Sequence, residues 1–186
     1  MSFFLWKREN LHTYLETFKK PQRIILCGLF AALYLVLYQL NIPISLVSQI
    51  RFGFLALAAA GFCGGPLMGA IVGILGDLLC MLITGGSGGL FFGFTVSYAL
   101  IGFLFGMIFY QQEITVLRTI AGGVAEFLVS VFLNTWWLQI MYGSTYTAQL
   151  ITRLPKCLFT LVVDSLLLFL FLKALSMAIL RSKVRI

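Results

Sequence analysis

Charge is scarce in this chain. Only 10% of its 186 residues are charged, whereas 61% are hydrophobic, and the mean hydropathy is +1.03. A soluble globule of this size needs more polar surface to cover its core. The composition therefore excludes an ordinary soluble domain and predicts an integral membrane protein.

Side chains that bind metals or activate nucleophiles are also few. His12 is the only histidine, and the four cysteines form no C-x-x-C pair: Cys27, Cys63, Cys80 and Cys157. This usage predicts no metal site. The G-x-x-x-x-G-K-[ST] motif is absent as well, so any use of ATP through that motif must come from another protein.

One glycine-rich segment contains the G-x-S-x-G pattern of serine hydrolases. It consists of Gly85, Gly86, Ser87, Gly88 and Gly89. A serine nucleophile needs a base within hydrogen-bonding reach, and the topology predicted below puts His12 on the other side of the membrane. We therefore interpret the segment as a mobile gating loop, and a stand-alone membrane enzyme that uses Ser87 is the less favoured alternative.

Six apolar stretches follow one another along the chain. A helix needs about 20 residues to cross a bilayer, and the stretches run approximately over residues 22–40, 51–62, 67–83, 90–110, 119–141 and 149–180. They predict an all-α membrane protein with six transmembrane helices in one domain, residues 22–181, with an inner turn at Gly64-Gly65-Pro66 between the second and third helices. Residues 1–21 are predicted to form an amphipathic segment at the cytoplasmic interface, and residues 182–186 a basic cytoplasmic tail.

The positive charges predict the orientation. Ten of the 13 Lys and Arg residues fall on one side of this arrangement: Lys7, Arg8, Lys19, Lys20, Arg23, Arg118, Lys173, Arg181, Lys183 and Arg185. The positive-inside rule then places both termini in the cytoplasm. The other three, Arg51, Arg153 and Lys156, lie at outer helix ends, where a charge is expected to face a cavity or ligand. They predict an outward-facing pocket for a small anion.

Polar and aromatic side chains accompany these cations. Asn134 and Trp137 share one face of the fifth helix, and Gln149, Arg153 and Lys156 share one face of the sixth. Arginine can bind a carboxylate with two hydrogen bonds, whereas lysine acts as a point charge. The alternative is that the cations reach for lipid headgroups and Trp137 belongs to an interfacial aromatic belt.

Three carboxylates lie within the apolar stretches, at Asp77, Glu126 and Asp164. Each is interpreted as a hydrogen-bonded structural group or as part of a proton or cation relay. The structural interpretation is favoured because the two halves of the chain show no inverted repeat of the kind found in many coupled carriers.

Several short motifs occur in a characteristic order: Arg51-Phe-Gly-Phe, Gly65-Pro66-x-x-Gly69, Gly73-x-x-x-Asp77, Gly93-Phe-Thr95, Asn134-Thr135-x-Trp137-Leu138 and Arg153-x-x-Lys156. With six helices, this set resembles the substrate-binding S component of an energy-coupling factor (ECF) vitamin transporter, and most of all its folate-specific branch. The resemblance covers residues 22–180.

The resemblance implies a multi-pass protein of the bacterial cytoplasmic membrane. It binds one vitamin at the outer face, needs no cofactor, and is thought to topple in the bilayer to release its cargo. Its partners are the membrane coupling protein EcfT and two ECF ATPase subunits, which use the ATP. A pair of small residues on the first helix meets the coupling protein in this family, and the matching pair here is Gly28 and Ala32.

Folate or a reduced folate is the ligand that this branch implies. Its pterin suits stacking and edge hydrogen bonds, and its carboxylates suit cations. The predicted ligand-binding residues are Arg51, Phe91, Phe92, Thr95, Asn134, Trp137, Gln149, Arg153 and Lys156. Another carboxylated vitamin, such as pantothenate, is the alternative that keeps the architecture.

Overall fold

The computed structural model describes residues 21–45, 48–83, 91–143 and 145–182. The elements are α1 (Pro21–Gln39), β1 (Asn41–Ser45), β2 (Ser48–Arg51), α2 (Gly53–Ile83), α3 (Phe92–Phe109), α4 (Val116–Leu128), a π-helical segment (Val129–Leu133), α5 (Asn134–Tyr142) and α6 (Tyr146–Ser182). The predicted amphipathic segment, the glycine-rich gating loop and the end of the basic tail lie outside the described residues.

The described residues form an essentially helical membrane protein. Five helical stretches are long and apolar enough to cross a membrane: Pro21–Gln39, Gly53–Ile83, Phe92–Phe109, Val116–Tyr142 and Tyr146–Ile179. The all-helical membrane class is therefore confirmed. The second stretch, α2, spans two of the predicted crossings, so the number of crossings depends on whether α2 bends back within the membrane.

The connection between α1 and α2 is a β-hairpin, which the sequence did not predict. Strands β1 and β2 pair antiparallel, with Asn41 opposite Arg51 and an irregularity between Pro43 and Ser45. The prediction that Arg51 opens the second helix is therefore wrong. Arg51 ends β2, and α2 starts at Gly53.

The backbone of α2 is interrupted at Gly65, where the Gly-Gly-Pro sequence predicted a turn. Gly65 has φ 82° and ψ −174°, a backbone conformation that glycine adopts readily. Cβ atoms added at Gly53 and Gly76 would come within 2.9 and 2.5 Å of the same Tyr34 ring. In a straight helix those residues would lie about 35 Å apart, so the chain bends back at Gly65.

Glycines allow α2 and α3 to touch through their backbones. A Cβ added at Gly69 would lie 2.1 Å from the carbonyl oxygen of Gly102, and one added at Gly61 would lie 2.7 Å from the nitrogen of Gly106. Small residues permit such close approach of helices in lipid. The core between the helices is filled by fully buried large side chains, among them Tyr34, Leu57, Met68, Phe105, Phe109, Leu168 and Leu172.

The fifth apolar stretch is not a uniform α-helix. Five residues, Val129–Leu133, form a π-helical segment between α4 and α5. A π turn shifts the following side chains around the helix axis relative to a regular α-helix, and such segments occur frequently at functional sites. The π-helical segment therefore determines which direction the side chains of α5 face relative to those of α4.

Candidate ligand-binding site

Arg51 is anchored by tyrosines from two helices. Its Nη1 donates a hydrogen bond to the Tyr38 hydroxyl, and its Cζ lies 4.4 Å from the centroid of the same ring. The guanidinium also shares a side-chain hydrogen bond with Tyr98 on α3. A cation over a tyrosine face is attracted by the ring quadrupole. These contacts hold Arg51 where α1, α3 and the hairpin meet.

The two cations of α6 lie close to the same place. Arg153 Nη1 donates a hydrogen bond of 3.3 Å to Thr135 Oγ1, and Thr135 is fully buried at the start of α5. The charges of Arg153 and Arg51 both act on the Lys156 ammonium. Three cations from β2 and α6 are thus brought together, which concentrates positive charge at one end of the helical body.

Aromatic rings line the region between α3 and α5. The Trp137 indole Nε1 donates to Ser97 Oγ at 3.1 Å. Phe91 meets the Trp137 ring edge-on, with centroids 5.7 Å apart, and Trp136 stacks on it at 5.4 Å. Phe92, by contrast, is 66% exposed. Phe91 and Trp137 therefore belong to one aromatic cluster, and Phe92 lies at the surface.

Two buried polar groups lie on the helices that carry this cluster. Thr95 Oγ1 donates a hydrogen bond of 2.6 Å to Asp77 Oδ2, and Asp77 is only 4% exposed. Asn134 is 8% exposed, and its Oδ1 is buried without a hydrogen-bond partner. An unsatisfied buried acceptor is costly unless a donor reaches it. Asn134 Oδ1 is thus able to accept a hydrogen bond from a ligand.

The remaining predicted site residues have different surroundings. Gln149 is half-buried in the first turn of α6, where its backbone N–H donates to the Thr145 carbonyl. Gly28 and Ala32 are exposed on α1, and a Cβ added at Gly28 would meet nothing within 4 Å. The small pair therefore lies on an open helix surface, unlike the tightly packed glycines of α2 and α3.

The predicted residues are held by tyrosines and hydroxyl groups that were not predicted from the sequence: Tyr38, Ser97, Tyr98 and Thr135. Their contacts cross between helices, so no spacing along the chain reveals them. A cavity of about 500 Å³ between α3 and the segment from α4 to α6 is lined, among the described residues, by Leu100, Leu128, Val129, Phe132, Leu133, Trp136 and Tyr146. None of these side chains is charged, and we do not assign the cavity to an anion.

Comparison with known proteins agrees with this architecture. A family profile described as "ECF transporter, substrate-specific component" matches residues 22–180. Folate transporter FolT of Clostridium novyi (strain NT) is 38% identical over 111 residues, which cover 59% of this chain but only 64% of that relative. Folate transporter FolT of Streptococcus mutans serotype c is 27% identical over 138 residues, covering 69% of this chain and 73% of the relative.

A solved structure shares the fold. The crystal structure of FolT bound with folic acid superposes with a TM-score of 0.71 and 25% sequence identity, over 80% of this chain and 90% of the FolT chain. The family profile covers far more than half of the chain. The chain therefore belongs to the family of substrate-specific components of ECF transporters, which are membrane transport proteins and not enzymes.

Proposed function

We propose that this chain is the folate-binding subunit of an ECF-type importer. It captures folate or a reduced folate at the outer membrane face and delivers it inward with an ATP-driven coupling module. The two FolT relatives and the FolT structure bound with folic acid support this ligand. The observation that carries the proposal is the convergence of Arg51, Arg153 and Lys156.

The proposed binding mode follows from the chemistry of folate. Its carboxylates are bound by the three cations, because hydrogen bonds between ionised partners are the strongest available in a site of this kind. Its flat pterin packs against the cluster of Phe91 and Trp137. Pterin N–H groups donate to Asn134 Oδ1, which has no partner of its own. Gln149 and Thr95 line the edge of the pocket, and Phe92 lies at its rim.

We propose six membrane crossings with both termini in the cytoplasm of a bacterial cell. The bend at Gly65, which returns Gly76 to the ring that Gly53 contacts, supports counting α2 as two crossings. Arg181 at the end of α6 supports a cytoplasmic C-terminus. Labelling of single cysteines placed at either terminus in whole cells tests this topology, since a membrane-impermeant reagent should reach neither.

The partners proposed for transport are EcfT and two ECF ATPase subunits. The exposed pair Gly28 and Ala32 offers a flat strip of α1 against which a transmembrane helix can pack closely. A Gly28→Leu variant should bind folate normally and fail to assemble with the coupling module. Loss of folate binding in this variant would show that the strip supports the pocket itself.

Calorimetric titration of the purified chain with folic acid, pantothenate and thiamine tests the ligand. Tight one-to-one binding of folic acid that is lost in Arg153→Ala supports the proposal. Binding of pantothenate in place of folic acid would keep the architecture and reject the specificity. Absence of binding to all three by folded protein would reject vitamin capture by the isolated chain.

A further inference from the structure

The π-helical segment, Val129–Leu133, separates two stretches of helix that both pack against α3 and α6. On the first stretch, α4, a Cβ added at Gly123 would clash with Ser165 Oγ on α6. A Cβ added at Gly122 would lie 2.7 Å from the Phe109 ring on α3. These two glycines therefore mark the sides of α4 that face α6 and α3.

On the second stretch, α5, the same two neighbours are contacted by Thr135 and Trp137. Thr135 is fully buried and accepts the hydrogen bond from Arg153 on α6. The Trp137 indole donates its hydrogen bond to Ser97 on α3. Trp136, which lies between them in the chain, is 52% exposed. The sides of α5 that face α6 and α3 are thus defined by contacts of its own.

A regular α-helix would not bring Thr135 to α6. Val116–Tyr142 is one continuous helical stretch, and successive residues of an α-helix lie about 100° apart around its axis. Thr135 would then lie about 120° from Gly123. That direction is the exposed side of α4, which carries Leu117 and Val124. A fully buried Thr135 is incompatible with it.

The π-helical segment removes this discrepancy. Hydrogen bonds in a π turn join residues i and i+5 in place of i and i+4, so the turn holds one residue more than an α turn. Every later residue therefore lies about 100° further back around the axis. This leaves Thr135 about 20° from Gly123, and Trp137 about 40° from Gly122. Each pair then faces the same neighbour, as the observed contacts require.

The extra residue decides which of two adjacent side chains reaches each neighbour. Without it, Trp136 would face α3 in place of Trp137. Asn134 would likewise face α6 in place of Thr135. With the extra residue, Asn134 lies between these two directions, buried and with its Oδ1 unpartnered. An indole, an unpaired amide oxygen and the hydroxyl that anchors Arg153 are thereby placed side by side.

We propose that the π-helical segment is a positioning element of the ligand pocket. Its extra residue turns Trp137 and Asn134 toward the ligand, and Thr135 toward Arg153. Segments of this kind occur frequently at functional sites. The identity of the ligand rests on the proposed folate function, whereas the rotation of α5 is measured without any ligand.

Tryptophan fluorescence in vesicles of phosphatidylcholine brominated near the headgroup end of its acyl chains tests the rotation of α5. Bromine quenches an indole that contacts lipid, and vesicles of the unbrominated lipid are the control. The double variant Trp6→Phe, Trp137→Phe keeps only Trp136 and should be quenched strongly, because this ring is exposed. The double variant Trp6→Phe, Trp136→Phe keeps only Trp137 and should be quenched weakly. Equal or reversed quenching would overturn the proposal.

Variants of altered length test the effect on the pocket. Deleting Phe132, an exposed residue of the π-helical segment, removes the extra residue and should leave a regular α-helix in which Trp137 and Thr135 keep their directions. Folic acid binding should therefore be retained. Inserting one alanine after Leu133 rotates α5 by about 100°, which should abolish binding and protect Trp136 from quenching. Combining the deletion with the insertion restores the length and should restore binding.

The outcomes separate the role of the π-helical segment from the identity of the ligand. A folded deletion variant that no longer binds folic acid would overturn the proposal, and so would an insertion variant that binds it normally. If the insertion variant does not fold, the deletion variant and the order of quenching decide. Quenching in the expected order, without folic acid binding by the wild-type protein, would reject folate as the ligand and keep the positioning role.

Discussion

The Trp137 indole N–H donates a hydrogen bond of 3.1 Å to Ser97 Oγ. The two residues lie 40 positions apart, and Ser97 is fully buried on α3. This bond fixes the rotation of the indole relative to α3, while Trp136 and Phe91 pack against the ring. The orientation of this aromatic cluster is therefore set by contacts between helices.

Replacing Trp137 by alanine should weaken folate binding severely, because both the ring and the bond to Ser97 are lost. Trp137→Phe should reduce the affinity for folate less, since it keeps an aromatic surface for stacking and loses the N–H donor. Calorimetric titration with folic acid measures both affinities. Equal losses in the two variants would assign the effect to the hydrogen bond and not to stacking.

Adjacent phenylalanines offer a matched comparison. Phe91 contacts the Trp137 ring, whereas Phe92 is 66% exposed. An aromatic pair contributes about 0.5–1.5 kcal/mol beyond its buried area, so Phe91→Leu should weaken folate binding by roughly two- to twelvefold. Phe92→Leu should change it little. The reverse order would place Phe92 in the pocket and Phe91 outside it.

Arg153→Met should weaken folate binding by removing a charged partner of a carboxylate. A hydrogen bond to a charged group is worth about 1.5–3 kcal/mol, which corresponds to roughly 10- to 150-fold in affinity. The affinity for pteroic acid, which lacks the glutamate, should fall much less in the same variant. A similar loss for both ligands would mean that Arg153 acts through Thr135 on the shape of the pocket and not on the glutamate.

Thr95→Val should destabilise the folded protein. The change removes the donor to Asp77 Oδ2 without changing the size of the side chain, and an unsatisfied buried acceptor costs about 1–3 kcal/mol. Thermal unfolding in detergent should show a lower midpoint. Thr147→Val, at an exposed position in the first turn of α6, is the control and should leave the midpoint unchanged.

Gly102→Ala should be strongly destabilising, because the new Cβ would lie 2.1 Å from the backbone oxygen of Gly69 and force α2 and α3 apart. Gly28→Ala is the matched control, with nothing within 4 Å of the added atom and a gain in helix propensity. Size-exclusion profiles and unfolding midpoints of the two variants provide the comparison. An unchanged size-exclusion profile and unfolding midpoint for Gly102→Ala would contradict the close packing of α2 on α3.

Patterns that depend on neighbours along the chain were visible in the sequence. The turn at Gly65 followed from its Gly-Gly-Pro context, and the shared face of Arg153 and Lys156 followed from helical spacing. Arg51 was identified as a misplaced cation, but its element was predicted wrongly. The strand that carries Arg51 is short and pairs only with β1, so its formation depends on closure of a hairpin that no apolar periodicity signals.

The sequence by itself determined the membrane class, the helical stretches and the family, because hydrophobicity and helical periodicity are local properties that a bilayer imposes on any chain. Only the tertiary structure decided which of Phe91 and Phe92 meets Trp137, that Tyr38 and Tyr98 hold Arg51, and that Glu126 lies across a small cavity from Asp164. Those contacts depend on the rotation and depth of each helix against its neighbours. Packing between residues distant in the chain sets both.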